Sequence, residues 1–92
     1  MVVEEGKDVL LRCPNVENQL RTTWWKKESG TINRIVFDSA VLSDVKDRMS
    51  FDGTTGSLII HNADLHDSGV YMCAVGFEEQ VFEIHLTVLG KF

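Results

Sequence analysis

Apolar residues recur at every second position in short runs along this chain, and polar or glycine-rich stretches separate the runs. Val9, Leu11 and Cys13 alternate with Asp8, Leu10 and Arg12. Met49 and Phe51 flank Ser50, Leu58 and Ile60 flank Ile59, and Ile84, Leu86 and Val88 alternate with His85 and Thr87. Period two sends successive side chains to opposite faces, so each run reads as a strand with one buried face. The same reading predicts a short edge strand at Val2-Val3 and strands over Thr22 to Lys27, Arg34 to Asp38, Tyr71 to Val75 and Val81 to Leu89. Between them fall Pro14, which ends its strand, and a polar loop from Asn15 to Arg21. Turns are predicted at Glu28-Ser29-Gly30-Thr31, Gly53-Thr54-Thr55-Gly56 and Gly76-Phe77-Glu78-Glu79-Gln80. The pattern is all-β.

With 92 residues, the chain is one domain, 1–92, of a size that buries roughly 60 to 70% of its unfolded surface. Fourteen acids against nine bases give a net charge of −5, and no basic cluster is longer than Lys26-Lys27. Nucleic acid is disfavoured as a partner, because neutralising phosphates needs a basic face; the acidity favours solubility and a basic partner. No run of eighteen apolar residues exists, so no membrane contact is expected from this stretch, and no charged-then-apolar leader precedes it. Met1 directly before Val2-Val3 reads as a start codon added to an excised domain, whose parent would carry the signal peptide, stalk, span and tail. Asn15, Asn18, Asn33 and Asn62 all lack a hydroxyl residue two positions on, so N-glycosylation is not expected.

Catalytic chemistry is not expected. His66-Asp67-Ser68 holds the residue types of a hydrolase triad, but neighbours within one turn cannot converge on a substrate as a triad must. His61, His66 and His85 lie on different elements without metal-ligand spacing. Gly53 and Gly56 flank a turn with no strand-to-helix context for a phosphate loop. Neither a cofactor nor a metal is implied.

Taken in order, Cys13, Trp24, the run Leu58-Ile59-Ile60, Asp67, Gly69, Tyr71 and Cys73 resemble the immunoglobulin superfamily across essentially the whole chain. The resemblance implies a two-sheet β-sandwich with Greek-key connections. Twenty-three residues separate Trp24 from Arg48, which is room for the extra C′ and C″ strands of a variable-type domain. It also implies a disulfide between Cys13 and Cys73; the plainer reading of these residues is a pair of buried free thiols. A bridge closing sixty residues is worth about 4 kcal/mol in the chain-entropy model and implies an oxidising compartment: a secreted protein or the extracellular part of a plasma-membrane protein. Trp24 would be the core indole and Trp25 its outward neighbour, although the spacing also tolerates the reverse. Arg48, opening strand D, would pair with Asp67, and Tyr71 would return its hydroxyl to the corner that contains Asp67 and Gly69. Strand E pairs with strand B in this fold, so Leu10 and Ile59 would form an outward cross-strand pair or stand as ordinary exposed aliphatics.

Functionally, the resemblance implies a ligand-recognition domain of a cell-surface immune receptor or co-receptor, meeting a protein partner or a second copy in a homodimer through the G-F-C-C′ face or its loops. On that face fall Trp25, Lys27, Phe37, Met72 and Ala74, with Phe77, Glu78 and Glu79 at the rim. Exposed aromatics and methionine together have the composition of interface cores, unless the C-C′ loop covers Phe37 and Met72. The stretch from Glu78 to Gly90 resembles the first domains of T-cell co-receptors, which implies a major histocompatibility molecule as ligand. The Phe-Gly-x-Gly bulge of rearranged antigen receptors is absent from the sequence. Adhesion and viral-entry receptors fit nearly as well. A spacer module of a longer extracellular array is the rival, against which the long C-to-D segment argues.

Overall fold

The computed structural model describes residues 1–14, 22–28, 30–37, 40–41, 47–75 and 81–90. Among them the chain runs through β1 (Val2–Glu4), β2 (Val9–Leu11), β3 (Thr22–Glu28), β4 (Thr31–Phe37), β5 (Ala40–Val41), β6 (Met49–Asp52) and β7 (Ser57–Ile60). A 3-10 turn (Leu65–Asp67), β8 (Gly69–Val75) and β9 (Phe82–Leu89) complete it. Two sheets form: a front sheet in the order β1-β9-β8-β3-β4-β5 and a back sheet in the order β2-β7-β6. This is the variable-type β-sandwich, with β4 and β5 as the extra strands between C and D. On the back sheet, Leu10 stands opposite Ile59, outside the core that Val9, Leu11, Leu58 and Ile60 enter.

Alternation accounts for most of what is buried. Trp24 on β3, Tyr71 and Cys73 on β8, and Leu86 and Val88 on β9 point at Val9, Leu11, Met49, Leu58 and Ile60 of the back sheet, and all are buried. Trp24 is the buried indole, at 0% exposure, whereas Trp25 is half-buried on the outer face. On the ladder Trp24 stands opposite Cys73, which is bonded to Cys13 across the sandwich with Cα atoms 5.9 Å apart. Its indole N–H donates to the Gly56 carbonyl at 3.0 Å, so the one polar atom of this side chain is satisfied by the turn between β6 and β7.

Several boundaries, and the register of one strand pair, differ from the sequence reading. The β3–β4 hairpin is tighter than the expected turn from Glu28 to Thr31, because those two residues already pair with each other. Gly30 adopts φ 81° there, a conformation that two-residue hairpin loops demand and glycine supplies without steric cost. β4 therefore starts at Thr31 rather than Arg34. Arg48, expected to open strand D, lies one residue before β6. Between Trp24 and Trp25 the β3–β4 register shifts: Trp24 faces Val36 and Trp25 faces Arg34, leaving Ile35 as an extra residue. The bulge turns both Ile35 and Val36 into the core, where strict alternation would bury only one of them.

The lower end of the sandwich is closed by polar groups. Asp67, with 3% of its side chain exposed, accepts from Arg48, whose side chain is 48% exposed, at 2.7 Å. The same Asp67 oxygen accepts from the Asp64 backbone N–H at 2.9 Å, while Asp64 accepts from the His66 N–H at 2.7 Å, a reciprocal capping box around the 3-10 turn. The Tyr71 hydroxyl donates to the Asp67 carbonyl at 2.6 Å, and burial, followed by the Asp67 charge, pushes its phenol well above the ordinary range. Alternation also sends Lys26 inward, to 7% exposure. Its ammonium donates to the His66 carbonyl at 2.7 Å, pairs with Glu28 at 2.6 Å and lies 5.6 Å from the centre of the Tyr71 ring. That hydrogen bond and charge hold the Glu28 carboxyl below its usual range. Gly69, at φ 153°, leaves room for this lysine, since a Cβ there would sit 3.2 Å from Lys26 Cε.

Two outcomes follow from this packing. Trp24→Ala should lose about 3 to 5 kcal/mol by denaturant unfolding, as a buried aromatic deletion, and reduction should remove about 4 kcal/mol more; two titratable thiols in the native protein would contradict the bridge. At the corner, Arg48→Ala leaves a buried carboxylate without its cation, so the double variant with Asp67→Ala should lose less than the sum of the singles by about 1 kcal/mol or more. Additive losses would reduce the pair to a surface contact.

Candidate functional site

The outer face of the front sheet is built row by row from the ladder, because residues directly opposite on antiparallel strands share a face. The central row runs Glu83 on β9, Met72 on β8, Trp25 on β3 and Arg34 on β4. The next row runs His85, Val70, Lys27 and Ile32 over the same strands. On the other side, Ala74 faces Thr23.

Burial sorts these positions into a centre and a rim. Trp25, Met72, Val70, Ala74 and Thr23 are half-buried, whereas Lys27, Arg34, Glu83 and His85 are exposed. Trp25 is thus less exposed than the sequence reading supposed, since a central strand places Met72 on one side of it and Arg34 on the other. Ile32, beyond Lys27, is 57% exposed, a large aliphatic at the β4 side of the rim.

Charge divides the same face. The acid, Glu83, lies on β9, with the His85 ring nitrogen 3.6 Å from its carboxylate. The bases, Lys27 and Arg34, lie on β3 and β4. An apolar strip of Met72, Val70 and the Trp25 ring runs between them. The β-bulge sets this arrangement, because it is what keeps Arg34 on the outer face while Ile35 and Val36 both turn inward.

Of the residues singled out from sequence, Trp25, Lys27, Met72 and Ala74 come together here. Phe37 ends β4, paired with Ala40; its side chain lies outside the described residues, as do Phe77, Glu78 and Glu79. Sequence reasoning passed over Glu83, His85, Val70, Ile32 and Arg34. Alternation around Ile84 and Leu86 implies the first two, but Arg34 depends on the bulge, which leaves no mark in the pattern.

Residue types of a hydrolase triad do meet in space, though not at His66-Asp67-Ser68. Ser50 Oγ and His61 Nε2 lie 2.6 Å apart, and His61 Nδ1 is 3.6 Å from Asp8. Asp8 also accepts from the Asn62 N–H at 2.9 Å, which is the main reason its carboxyl sits below the ordinary range. The cluster lies on the solvent side of the back sheet, with Asp8 and His61 open to water. It ties β6 to the turns that flank β2 and β7.

Comparison with known proteins gives the same fold. The first immunoglobulin-like domain of the human CD48 antigen, known from its solution structure, matches with a TM-score of 0.80 at 26% identity, over 100% of this chain and 82% of that one. The extracellular domain of the voltage-gated sodium channel beta4 subunit, solved as parallel homodimers that explain that protein's role in cell-cell adhesion, matches with a TM-score of 0.76. At 21% identity, over 100% of this chain and 85% of that one, it speaks for the fold alone. The N-terminal four immunoglobulin domains of Dscam1 isoform 9.44 match at 26% identity with a TM-score of 0.73, over 99% of this chain. This chain spans 22% of that four-domain length. The immunoglobulin V-set domain model matches residues 1–89, so with its two-sheet topology, Cys13–Cys73 bridge and buried Trp24 the chain belongs to the immunoglobulin V-set family.

Proposed function

We propose that this V-set domain is the extracellular recognition module of a cell-surface receptor and that it meets a protein partner through the outer face of β9, β8, β3 and β4. One observation carries the reading: a half-buried Trp25 beside Met72 at the centre of an open sheet, ringed by Lys27, Arg34 and Glu83. Aromatic and methionine side chains at the centre with charges at the edge have the anatomy of a protein interface. The disulfide fits an oxidising, extracellular setting.

The family favours recognition over catalysis, and the face offers a partner what recognition needs. A flat sheet supplies a rigid platform, so little ordering entropy is lost on contact. Trp25 supplies apolar area, and the rim charges select among partners and steer their approach. A ligand on an opposing cell, including the major histocompatibility class that the strand G sequence suggests, would meet this face.

Trp25→Ala tests the reading. Binding of the multimerised domain to cells that carry the partner, followed by titration with the monomer, should weaken by about 2 kcal/mol or more, roughly thirtyfold. Stability should fall by much less than for Trp24→Ala, because Trp25 is only half-buried. A folded Trp25→Ala protein with unchanged binding would move the site to the loops.

A further inference from the structure

We propose that the solvent face of the back sheet is an acyl-transfer site for carboxylic esters with an apolar acyl chain, in which Ser50 is the nucleophile, His61 its base and Asp8 the residue that positions His61. The site lies on the opposite side of the sandwich from the recognition face and is independent of it.

Three strands bring the groups together. Ser50 on β6 stands opposite Ile59 of β7, and Ile59 stands opposite Leu10 of β2. His61 follows Ile59 by two positions and Asp8 precedes Leu10 by two, so alternation keeps these side chains on one face. The imidazole nitrogens face the partners that a serine's base requires: Nε2 is 2.6 Å from Ser50 Oγ and Nδ1 is 3.6 Å from the Asp8 carboxylate. A proton on Nδ1, the Asp8 side, leaves Nε2 to accept from the Ser50 hydroxyl. Asp8 is itself held by the Asn62 N–H at 2.9 Å, and its gap to Nδ1, wider than a hydrogen bond, closes as the imidazole gains charge. The edge of the sheet supplies the remaining group. The His61 N–H donates to the Arg48 carbonyl at 2.8 Å, so along β6 the backbone groups of Arg48 and Ser50 face β7 and those of Met49 and Phe51 face the other way. On that side β6 has no partner strand among the described residues. The Phe51 N–H, directly after the nucleophile, is therefore available to an oxyanion, a donor position that serine hydrolases of other folds also use.

The reaction needs only an ester and water. Ser50 Oγ adds to the ester carbonyl carbon, its proton passes to His61 Nε2, and the carbonyl electron pair moves onto the oxygen beside the Phe51 N–H. Collapse breaks the bond to the leaving oxygen, which takes the proton from His61 and departs as an alcohol. Water then adds to the acyl-Ser50 carbonyl by the same route and releases the carboxylic acid. A positioned base contributes about 10²- to 10⁴-fold, and one oxyanion donor about 10²- to 10³-fold. Ser50, Ile59 and Leu10 form one row across the sheet, so an acyl chain joined to Ser50 lies over Ile59 and then over Leu10, which is 42% exposed. Two strand spacings, roughly 10 Å, set the length of chain that this row covers and favour a medium-length acyl group over acetyl.

Covalent trapping tests it on the unaltered domain. An alkyl fluorophosphonate, which reacts with activated serines, should add once to the disulfide-bonded protein, and peptide mass spectrometry should place the adduct on Ser50. Ser50→Ala should abolish the adduct, and His61→Gln should slow its formation about hundredfold or more. Asp8→Asn keeps an acceptor for the Asn62 N–H; with p-nitrophenyl octanoate it should lower kcat about tenfold or more at little change in KM, as a positioning residue does. Leu10→Ser should lower kcat/KM for the octanoyl ester about tenfold while leaving the acetyl ester within about twofold. NMR shift dispersion reports the fold of each variant. No adduct on the unaltered domain, an adduct at another residue, or ester hydrolysis that survives Ser50→Ala would overturn the inference.

Discussion

The contact on which the sandwich depends is that of the Trp24 indole with the layer between the two sheets. The ring is fully buried, stands opposite Cys73 on the ladder and sends its N–H to the Gly56 carbonyl of the back-sheet turn. One side chain thus joins the strand that bears it, the bridge to Cys13 and the hairpin between β6 and β7. Two sheets facing each other about 10 Å apart need large side chains to fill the space, and tryptophan fills it while leaving one polar atom to be matched. Because that atom is matched by backbone, the site discriminates against other aromatics as well as against small residues.

The lower end obeys a different constraint. Here the chain must turn from the back sheet to the front sheet, and a turn leaves backbone groups without ladder partners. Asp67 takes the Asp64 N–H, Tyr71 takes the Asp67 carbonyl, and Lys26 takes the His66 carbonyl. The buried lysine is tolerable because three kinds of neighbour stabilise its charge together: a carboxylate, a carbonyl and an aromatic face. Arg48 plays a related part for Asp67 from the half-exposed side. These groups close the corner from which β8 starts, and β8 carries Met72 in register beside Trp25.

That register links the structural half of the protein to its outer face. β3 and β8 each carry core residues on one side and candidate contact residues on the other, so Trp24 and Trp25, or Cys73 and Met72, are adjacent in sequence and opposite in role. A core anchored by the disulfide and the buried indole holds the outer side chains on rigid strands. The bulge in β4 adds the asymmetry, since it lets two apolar residues turn inward and leaves Arg34 facing out against Glu83 two strands beyond Trp25.

Much of this was legible in the chain itself. Period-two runs determined the strands and their inward faces, and the order of Cys13, Trp24, Tyr71 and Cys73 determined how two sheets close on each other; the outward places of Trp25, Lys27 and Met72 follow from the same alternation. The tight β3–β4 hairpin, the bulge at Ile35 and the company of Lys26 did not follow. A bulge depends on which partner each residue meets across the ladder, and the burial of a lysine depends on a carbonyl and a ring brought from about forty positions away. Hydrophobic periodicity records what each residue loses in water, and it is local. Where a polar group finds its partner is decided only once distant segments are in place, and so the burial of Lys26 and the outward place of Arg34 belong to the tertiary structure, whereas those of Lys27 and Glu83 follow from alternation.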